Sequence, residues 1–378
     1  MPSANFKMEL PTKTYLFANQ SNLLMNNRYK KLLLTILIIV VALPLKAEDR
    51  KTIKVAALLA LSGDLAPLGS EVLKGAQLAV DQKLDLPEIS LVVEDVQSLT
   101  ARAAVAAAQK SITVDNVDAA VTMIIEEAEP MAALFEREKR PLLVLWDSNK
   151  NLSNMGRYIF SNGFSTEAAG ETIADFAFDK LKLRRAAIVS HNNAWAEIIT
   201  PAFRSRFTEL GGTIVYEQAF NPDNTDFRSS ISKIKESKPD AIYLPMVPMS
   251  SANFLSQLKT QAGNFALLAG DPLIQEVIDA SNGGAEGLYK TDNWTVDSVE
   301  LSAKYQNKFG SEPIDTTLVS LGFDGVIELR KAAAVALIKK IDLREALEER
   351  YGPSHSANRQ QKIFRVVDGK AKLLDGSK

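Results

Sequence analysis

Short apolar runs alternate with longer segments of helical periodicity from residue 53 onward, and this alternation limits the fold more than any other feature. It is typical of parallel strands joined by crossover helices, with helices on both faces of a sheet. Four strands with the helices between them predict one doubly wound α/β lobe. In order, the pattern predicts strand 53–61, helix 69–84, strand 89–94, helix 100–114, strand 119–125, helix 130–139 and strand 141–146.

After a polar link at 147–157 the same alternation starts again, which predicts a second lobe of the same type. The fold class is therefore α/β, with two doubly wound parallel-sheet lobes. The second series comprises helix 167–181, strand 185–190, helix 195–210, strand 213–218, helix 226–237, strand 241–244, helix 250–261, strand 266–269, two helices within 296–340 and a hairpin at 363–374. The hairpin is expected to turn at Asp368-Gly369.

The first 47 residues have the pattern of a secretory signal peptide. A basic cluster at 28–31 precedes an apolar run at 32–45. That run has 14 residues, fewer than the roughly 20 that a membrane-spanning helix needs, so a retained anchor is disfavoured. We expect translation to begin at Met25 and cleavage to fall near Ala47, which predicts export to the periplasm.

Composition excludes several classes of function. The chain has no cysteine, which excludes disulfides, thiolate catalysis and zinc–thiolate sites. Without residues 1–47 its net charge is about −7, and no basic stripe is present to bind a phosphate backbone. Nucleic acid is therefore not an expected partner.

The turn after the first strand does not have the form of a nucleotide-binding loop. Its two glycines, Gly63 and Gly69, are six residues apart with Pro67 between them, and Asp64 adds an unfavourable negative charge. A dinucleotide site needs glycines close together so that the backbone can approach the pyrophosphate. No Walker A lysine motif occurs either, so no nucleotide cofactor is predicted.

Catalytic residues are scarce as well. The two histidines, His191 and His355, have neither metal-ligand spacing nor the context of a nucleophile. We interpret His191 as a polar residue in the loop after a strand. The sequence therefore predicts neither an enzyme nor a bound cofactor or metal.

Three residues stand where ligands of open α/β sheets bind, at the carboxyl ends of strands. Glu126, in an acidic group that follows the third strand, is expected either to contact a ligand or to complement a helix N-terminus. Trp195 is expected to form a ligand wall or to pack at the start of its helix. Asp271 is expected to bind a ligand ammonium or to cap the next helix.

Several segments resemble the periplasmic binding proteins for branched-chain amino acids and related solutes, which serve ABC importers. The opening carries the resemblance at 53–63 (IKVAALLALSG), Gly69 and 74–80 (KGAQLAV), and it continues at 92–95 (VVED), 210–212 (LGG), 224–227 (NTDF), 238–242 (KPDAI) and 322–325 (GFDG). The resemblance implies a type I fold, with two lobes joined by a three-crossing hinge. Lobe 1 would comprise 52–162 and 292–350, and lobe 2 would comprise 163–291 and 351–378.

The resemblance also implies a set of ligand contacts. By position they fall on Leu68, Ile125, Glu126, Asp147, Ser148, Trp195 and Asp271. Proteins of this family hold the ligand's carboxylate with a hydroxyl after the third strand, where this chain has Ile125 or Glu126. Because Glu126 and Asp147 would repel a carboxylate, we expect a neutral or cationic ligand, such as an amide, an amine or a polar aromatic that stacks on Trp195.

The resemblance implies the ligand-binding subunit of an ABC importer, which closes on a small polar solute and then docks on a membrane permease. We expect a monomer. The alternative is a periplasmic sensor or envelope regulator on the same fold that does not take part in transport.

Overall fold

The computed structural model describes residues 52–374 except 99, 262, 264, 271, 293–297 and 358. The strands are β1 (Ile53–Leu59), β2 (Ile89–Asp95), β3 (Ala119–Thr122), β4 (Leu142–Val144), β5 (Asp147–Ser148), β6 (Ile159–Ser161), β7 (Phe164–Ser165), β8 (Arg185–His191), β9 (Thr213–Phe220), β10 (Ala241–Leu244), β11 (Ala266–Ala269), β12 (Tyr289–Asp292), β13 (Lys362–Val367) and β14 (Lys370–Leu373). They form two large sheets and one small one.

Helices connect most of these strands. They are α1 (Ala66–Val80), α2 (Ala101–Thr113), α3 (Ile125–Arg137), α4 (Leu152–Met155), α5 (Thr166–Asp175), α6 (Ala194–Glu209), α7 (Arg228–Ser237), α8 (Pro248–Lys259), α9 (Gln275–Ala280), α10 (Ser298–Phe309), α11 (Thr316–Lys339) and α12 (Leu343–Tyr351). A π-helical turn, Phe176–Lys180, extends α5. Among the helices of the described residues, none has the length and hydropathy of a membrane span.

The first sheet has the strand order β2-β1-β3-β4-β6, and all its neighbouring strands are parallel. Its central strands are buried, with every residue of β3 and β4 inside the core. The strand order changes direction at β1, which has β2 on one side and β3 on the other. Such a switch point leaves a crevice at the carboxyl ends of the strands, where ligands of open α/β sheets bind.

The second sheet has the order β14-β13-β12-β11-β10-β8-β9. Strands β8 to β12 are parallel, whereas the hairpin β13–β14 adds two antiparallel strands at the edge. The hairpin turns at Asp368 and Gly369, both at positive φ, as its Asp-Gly sequence predicts. The switch point of the second sheet lies between β8 and β10. We call each large sheet, with the helices that pack on it, a lobe.

Short links run between the lobes. Strands β5 and β7 pair as a two-stranded parallel sheet, and an isolated bridge joins Ser161 to Ser356. The Oγ of Ser161 also donates to the backbone oxygen of Asp147 at 2.7 Å. The expected lobe boundaries near 162, 292 and 350 stay a prediction.

The start of α3 differs from the sequence-based expectation. The predicted strand 119–125 ends at Thr122, and the helix predicted from Pro130 begins five residues earlier, at Ile125. The first backbone N–H of α3, on Ile125, donates to Asp147, which lies 22 residues further along the chain. A cap that distant leaves no local signal in the sequence, which is why the helix start was misplaced.

Helices α1 and α11 cross in close contact in the first lobe. A Cβ added to Gly322 would lie 1.8 Å from the backbone oxygen of Val72, and one added to Gly75 would lie 1.9 Å from that of Val319. Both obstacles are backbone atoms, so they cannot rotate away. The two glycines therefore allow the helix backbones to touch.

Replacing Gly322 with alanine is expected to lower the free energy of unfolding by about 2 to 3 kcal/mol, because the helices must separate. The matched control is Gly325→Ala in the same helix, whose Cβ would meet the side chain of Leu145, with its Cδ2 at 2.2 Å, and no backbone atom among its three nearest contacts. Both substitutions gain the same helix propensity. Urea unfolding measures the two, and equal losses would contradict the proposed backbone contact.

Candidate functional site

A cavity lies between the two lobes, where the carboxyl ends of their strands face each other. It has a volume of about 80 Å³ and is lined mainly by apolar side chains. The described lining residues are Leu65, Leu68, Met123, Ile124, Glu126, Trp146 and Asp147 from the first lobe, and Asn193, Trp195, Val247, Pro248 and Pro272 from the second.

The N-terminus of α3 borders the cavity and is capped by a carboxylate. Asp147 Oδ1 accepts a hydrogen bond from the backbone N–H of Ile125 at 2.9 Å, and only 7% of Asp147 is exposed. The dipole of the 13-residue helix favours a negative charge at this end. Asp147 therefore holds the loop after β4 against the start of α3.

The N-terminus of α6 borders the cavity from the second lobe and has two caps. Asn193 Oδ1 accepts from the N–H of Ala196 at 2.8 Å, within the same lobe. Glu126 Oε1 accepts from the N–H of Trp195, also at 2.8 Å, and this bond joins the first lobe to the second. Burial raises the pKa of Glu126, while the bond from Trp195 acts in the opposite direction. Glu126 thus bridges the cleft.

Glu127 lies next in the chain but turns back into the first lobe. Its Oε2 accepts from Thr122 Oγ1 at 2.9 Å and from the N–H of Met123 at 3.1 Å. Burial raises the pKa of Glu127 to about 7, and its Oε1 has no hydrogen-bond partner among the described residues. Glu127 fixes the end of β3 and does not line the cavity.

Trp195 forms one wall of the cavity. It is 9% exposed, and its indole Nε1 is buried without a hydrogen-bond partner in the described part of the chain. Gly270, directly after β11, makes room for the ring, since a Cβ there would lie 3.1 Å from its Cζ2 atom. An aromatic wall with a buried N–H group can contact both an apolar and a polar part of a small molecule.

Comparison with known proteins gives the family. The family model described as periplasmic binding protein matches residues 52–349. The chain belongs to this family. The fold of this periplasmic binding protein is accordingly the type I fold, with α/β lobes built on parallel sheets.

Two curated relatives match part of the chain. The Leu/Ile/Val-binding protein BraC3 of Rhizobium johnstonii is 25% identical over 232 residues, which cover 56% of this chain and 59% of the relative. The Leu/Ile/Val-binding protein homolog 3 of Brucella melitensis biotype 1 is 21% identical over 248 residues, which cover 62% and 61%. The match thus spans about three fifths of the length of these relatives.

Solved structures share the fold. The leucine binding protein LivK of Thermotoga maritima superposes with a TM-score of 0.76 at 22% identity, covering 85% of this chain and 97% of that one. LivJ of Streptococcus pneumoniae, in complex with isoleucine, gives 0.75 at 22% identity and covers 86% and 99%. A solute binding protein of R. palustris, in complex with benzoate, gives 0.74 at 20% identity and covers 85% and 95%.

In this periplasmic binding protein, four of the seven predicted contact residues line the cavity: Leu68, Glu126, Asp147 and Trp195. Asp271 lies outside the described residues. The structure does not bring the remaining two, Ile125 and Ser148, to the described lining.

The side chain of Ile125 is 4% exposed and packs in the core of the first lobe, because α3 begins at this residue and turns it inward. The hydroxyl of Ser148 accepts a hydrogen bond from Ser356 at 2.9 Å. In the described part of the chain, both residues therefore support the walls of the cavity and do not line it.

Sequence reasoning missed most of the lining. The missed residues are the polar Asn193 and the apolar Leu65, Met123, Ile124, Trp146, Val247, Pro248 and Pro272. All of them lie in segments that follow strands, at the sheet edge where ligands of this fold class bind. Applying that rule to apolar as well as polar residues would have found them.

The two histidines have structural positions. His191 ends β8, is 2% exposed, and its Nδ1 accepts from the N–H of Val247 at 2.9 Å. Burial lowers the pKa of His191 to about 4, so the ring is neutral at pH 7 and supports the Val247 loop. His355 stacks on Phe160. In the described ranges, no group of three or more His, Cys, Asp or Glu residues could hold a metal.

Glu127 predicts a pH dependence of stability. Its pKa rises from 4.5 to about 7 on folding, so the folded state binds the proton more tightly. The resulting stabilisation is present below pH 4.5 and is lost as the pH rises through 7, a change of at most roughly 3 kcal/mol. Glu127→Gln is expected to flatten this decline in urea unfolding between pH 5 and 8.

The control for this measurement is Glu129→Gln, which removes an exposed carboxylate from the same helix. It should leave the slope of stability against pH unchanged. A Glu127→Gln slope equal to that of the unsubstituted protein would show that Glu127 does not cause the pH dependence.

Proposed function

We propose that this protein is the exported ligand-binding subunit of an ABC importer and captures a small solute between its lobes. The observation that carries the proposal is the cavity at the facing carboxyl ends of the two sheets, lined from both lobes. Ligands of open α/β sheets bind at this edge. The family membership and the names of the relatives support the same role.

The lining favours a solute with an apolar body and few polar groups. Two indole rings, Trp146 and Trp195, and several aliphatic side chains face the cavity, against Glu126, Asp147 and Asn193 as polar contacts. Similar proteins have been solved with isoleucine and with benzoate, which both combine an apolar part with polar groups. An amino acid-like solute, an amide or an amine fits the cavity in this respect.

Hinge closure is the proposed mechanism. The bond from the Trp195 N–H to Glu126 joins the lobes across the cleft, so it forms only when they are close. A ligand that contacts both walls stabilises the same closed state, and its differential contacts supply the free energy. The closed form then docks on a permease in the inner membrane.

Binding without covalent chemistry is part of the proposal. The carboxylates at the cavity are engaged with backbone N–H groups at helix starts, and His191 is engaged with Val247. Turnover of a bound solute by the purified protein would contradict this. If the purified protein binds a solute whose uptake is unchanged in cells that lack the gene, this would favour the alternative role as a periplasmic sensor.

In a thermal-shift screen against a metabolite library, the true ligand is expected to raise the melting temperature, since a ligand of the folded form stabilises it.

Trp195→Ala should then weaken the binding of that ligand, measured by calorimetry, by about tenfold or more, because it removes an aromatic wall. Phe178→Ala is the control, an aromatic of the second lobe that packs on Phe207 and Arg184. Equal affinities for both variants would exclude the cavity as the site.

Removing the inter-lobe acceptor is expected to open the ligand-free protein. Glu126→Ala deletes the partner of the Trp195 N–H, so small-angle X-ray scattering should give a larger radius of gyration without ligand. Glu129→Ala, on the exposed face of the same helix, should not change it. An unchanged radius for Glu126→Ala would show that this bond does not hold the lobes together.

A further inference from the structure

The ionisable side chains in the cavity wall share one sign of charge. Of the described lining residues, Glu126 and Asp147 are acidic, and none is lysine, arginine or histidine. Both carboxylates are largely shielded from water between apolar side chains. Charges act strongly on one another in such an environment, because little solvent screens them.

Two of the helix N-termini that border the cavity, those of α3 and α6, are already occupied by the protein's own carboxylates. Asp147 accepts the N–H of Ile125 at the start of α3, and Glu126 accepts that of Trp195 at the start of α6. Helix N-termini are the usual place where proteins hold an anionic ligand group, since their N–H groups and dipole favour it. At these two helix starts a ligand carboxylate would meet N–H donors already in use and two negative charges.

The aromatic side chains, like the two carboxylates, attract a cation. Trp146 and Trp195 both line the cavity, and indole is the best aromatic partner for a cation. An organic cation between these rings would also lie near both carboxylates. Its apolar body would contact the aliphatic residues, including Leu65 and Leu68.

We infer that the ligand is a small organic cation with an apolar body and no carboxylate group. Glu126 and Asp147 set this specificity: each attracts the cation and excludes the carboxylate while it caps a helix. The inference rests on the proposed function, because it concerns the charge of the solute that the same cavity takes.

Three probes that share one ring test the inference: benzylamine, benzyl alcohol and benzoate. A second series shares one aliphatic body. Isopentylamine has only an ammonium group, leucine has both an ammonium and a carboxylate, and 4-methylpentanoate has only a carboxylate. Calorimetry at pH 7.5 and low salt, on the protein purified after export, is expected to rank the amine at least tenfold tighter than the carboxylate in each series. The neutral alcohol should fall between them.

Asp147→Asn and Glu126→Gln keep an oxygen acceptor for the helix N–H groups but remove the charge. Each is expected to weaken amine binding at least tenfold and to reduce the difference between amine and carboxylate. Asp226→Asn, an exposed acid paired with Arg228, is the control and should change neither. Circular dichroism checks the folding of each variant, and if one fails to fold, the other variant and the ranking of the probes on the unsubstituted protein still decide.

Two results overturn the inference. Tighter binding of benzoate or leucine than of the matching amine would refute the cation specificity, while it would leave a solute-binding cleft in place. Amine binding that neither carboxylate variant weakens would remove the role of Glu126 and Asp147. A library screen in which no compound of any charge raises the melting temperature would instead count against the proposed function itself.

Discussion

The bond between Glu126 and the N–H of Trp195 is the interaction on which the site depends. It places a carboxylate of one lobe at the start of a helix in the other. It thereby adds a direct bond between the two walls of the cavity to the short links that run between the lobes. The same carboxylate has a pKa raised by burial, so closing the lobes has a desolvation cost that the helix N–H offsets.

Carboxylates act as structural caps throughout this edge of the first lobe. Asp147 caps α3, and Glu127 ties the end of β3 to the first turn of that helix. Asp147 satisfies an N–H group that a helix start leaves without an intrahelical partner, whereas Glu127 satisfies the N–H of Met123, just ahead of the helix. The acidic residues that follow β3 therefore have different roles within three positions: Glu126 faces the cleft, and Glu127 faces the core.

The two-lobed architecture could be predicted because the relevant signals are local. Apolar runs buried on both faces of a sheet, and helices closed by residues such as Gly211 and Gly212, appear in sequence order and at the right spacing. The hairpin at Asp368-Gly369 is a further example. The start of α3 was misplaced, and helix α12 was missed, although its N-cap Asp342 is a local signal with Oδ1 2.7 Å from the N of Glu345.

The sequence by itself determined the α/β class and the resemblance to periplasmic binding proteins, since both depend on short-range patterns along the whole chain. It also brought Glu126 and Trp195 into consideration, because each follows a strand, and Asp147 through the resemblance. Only the tertiary structure decided what they do. Whether an acid near a helix start contacts a ligand or caps the helix depends on which N–H groups the fold brings within 3 Å, and these groups lie 22 and 69 residues away along the chain.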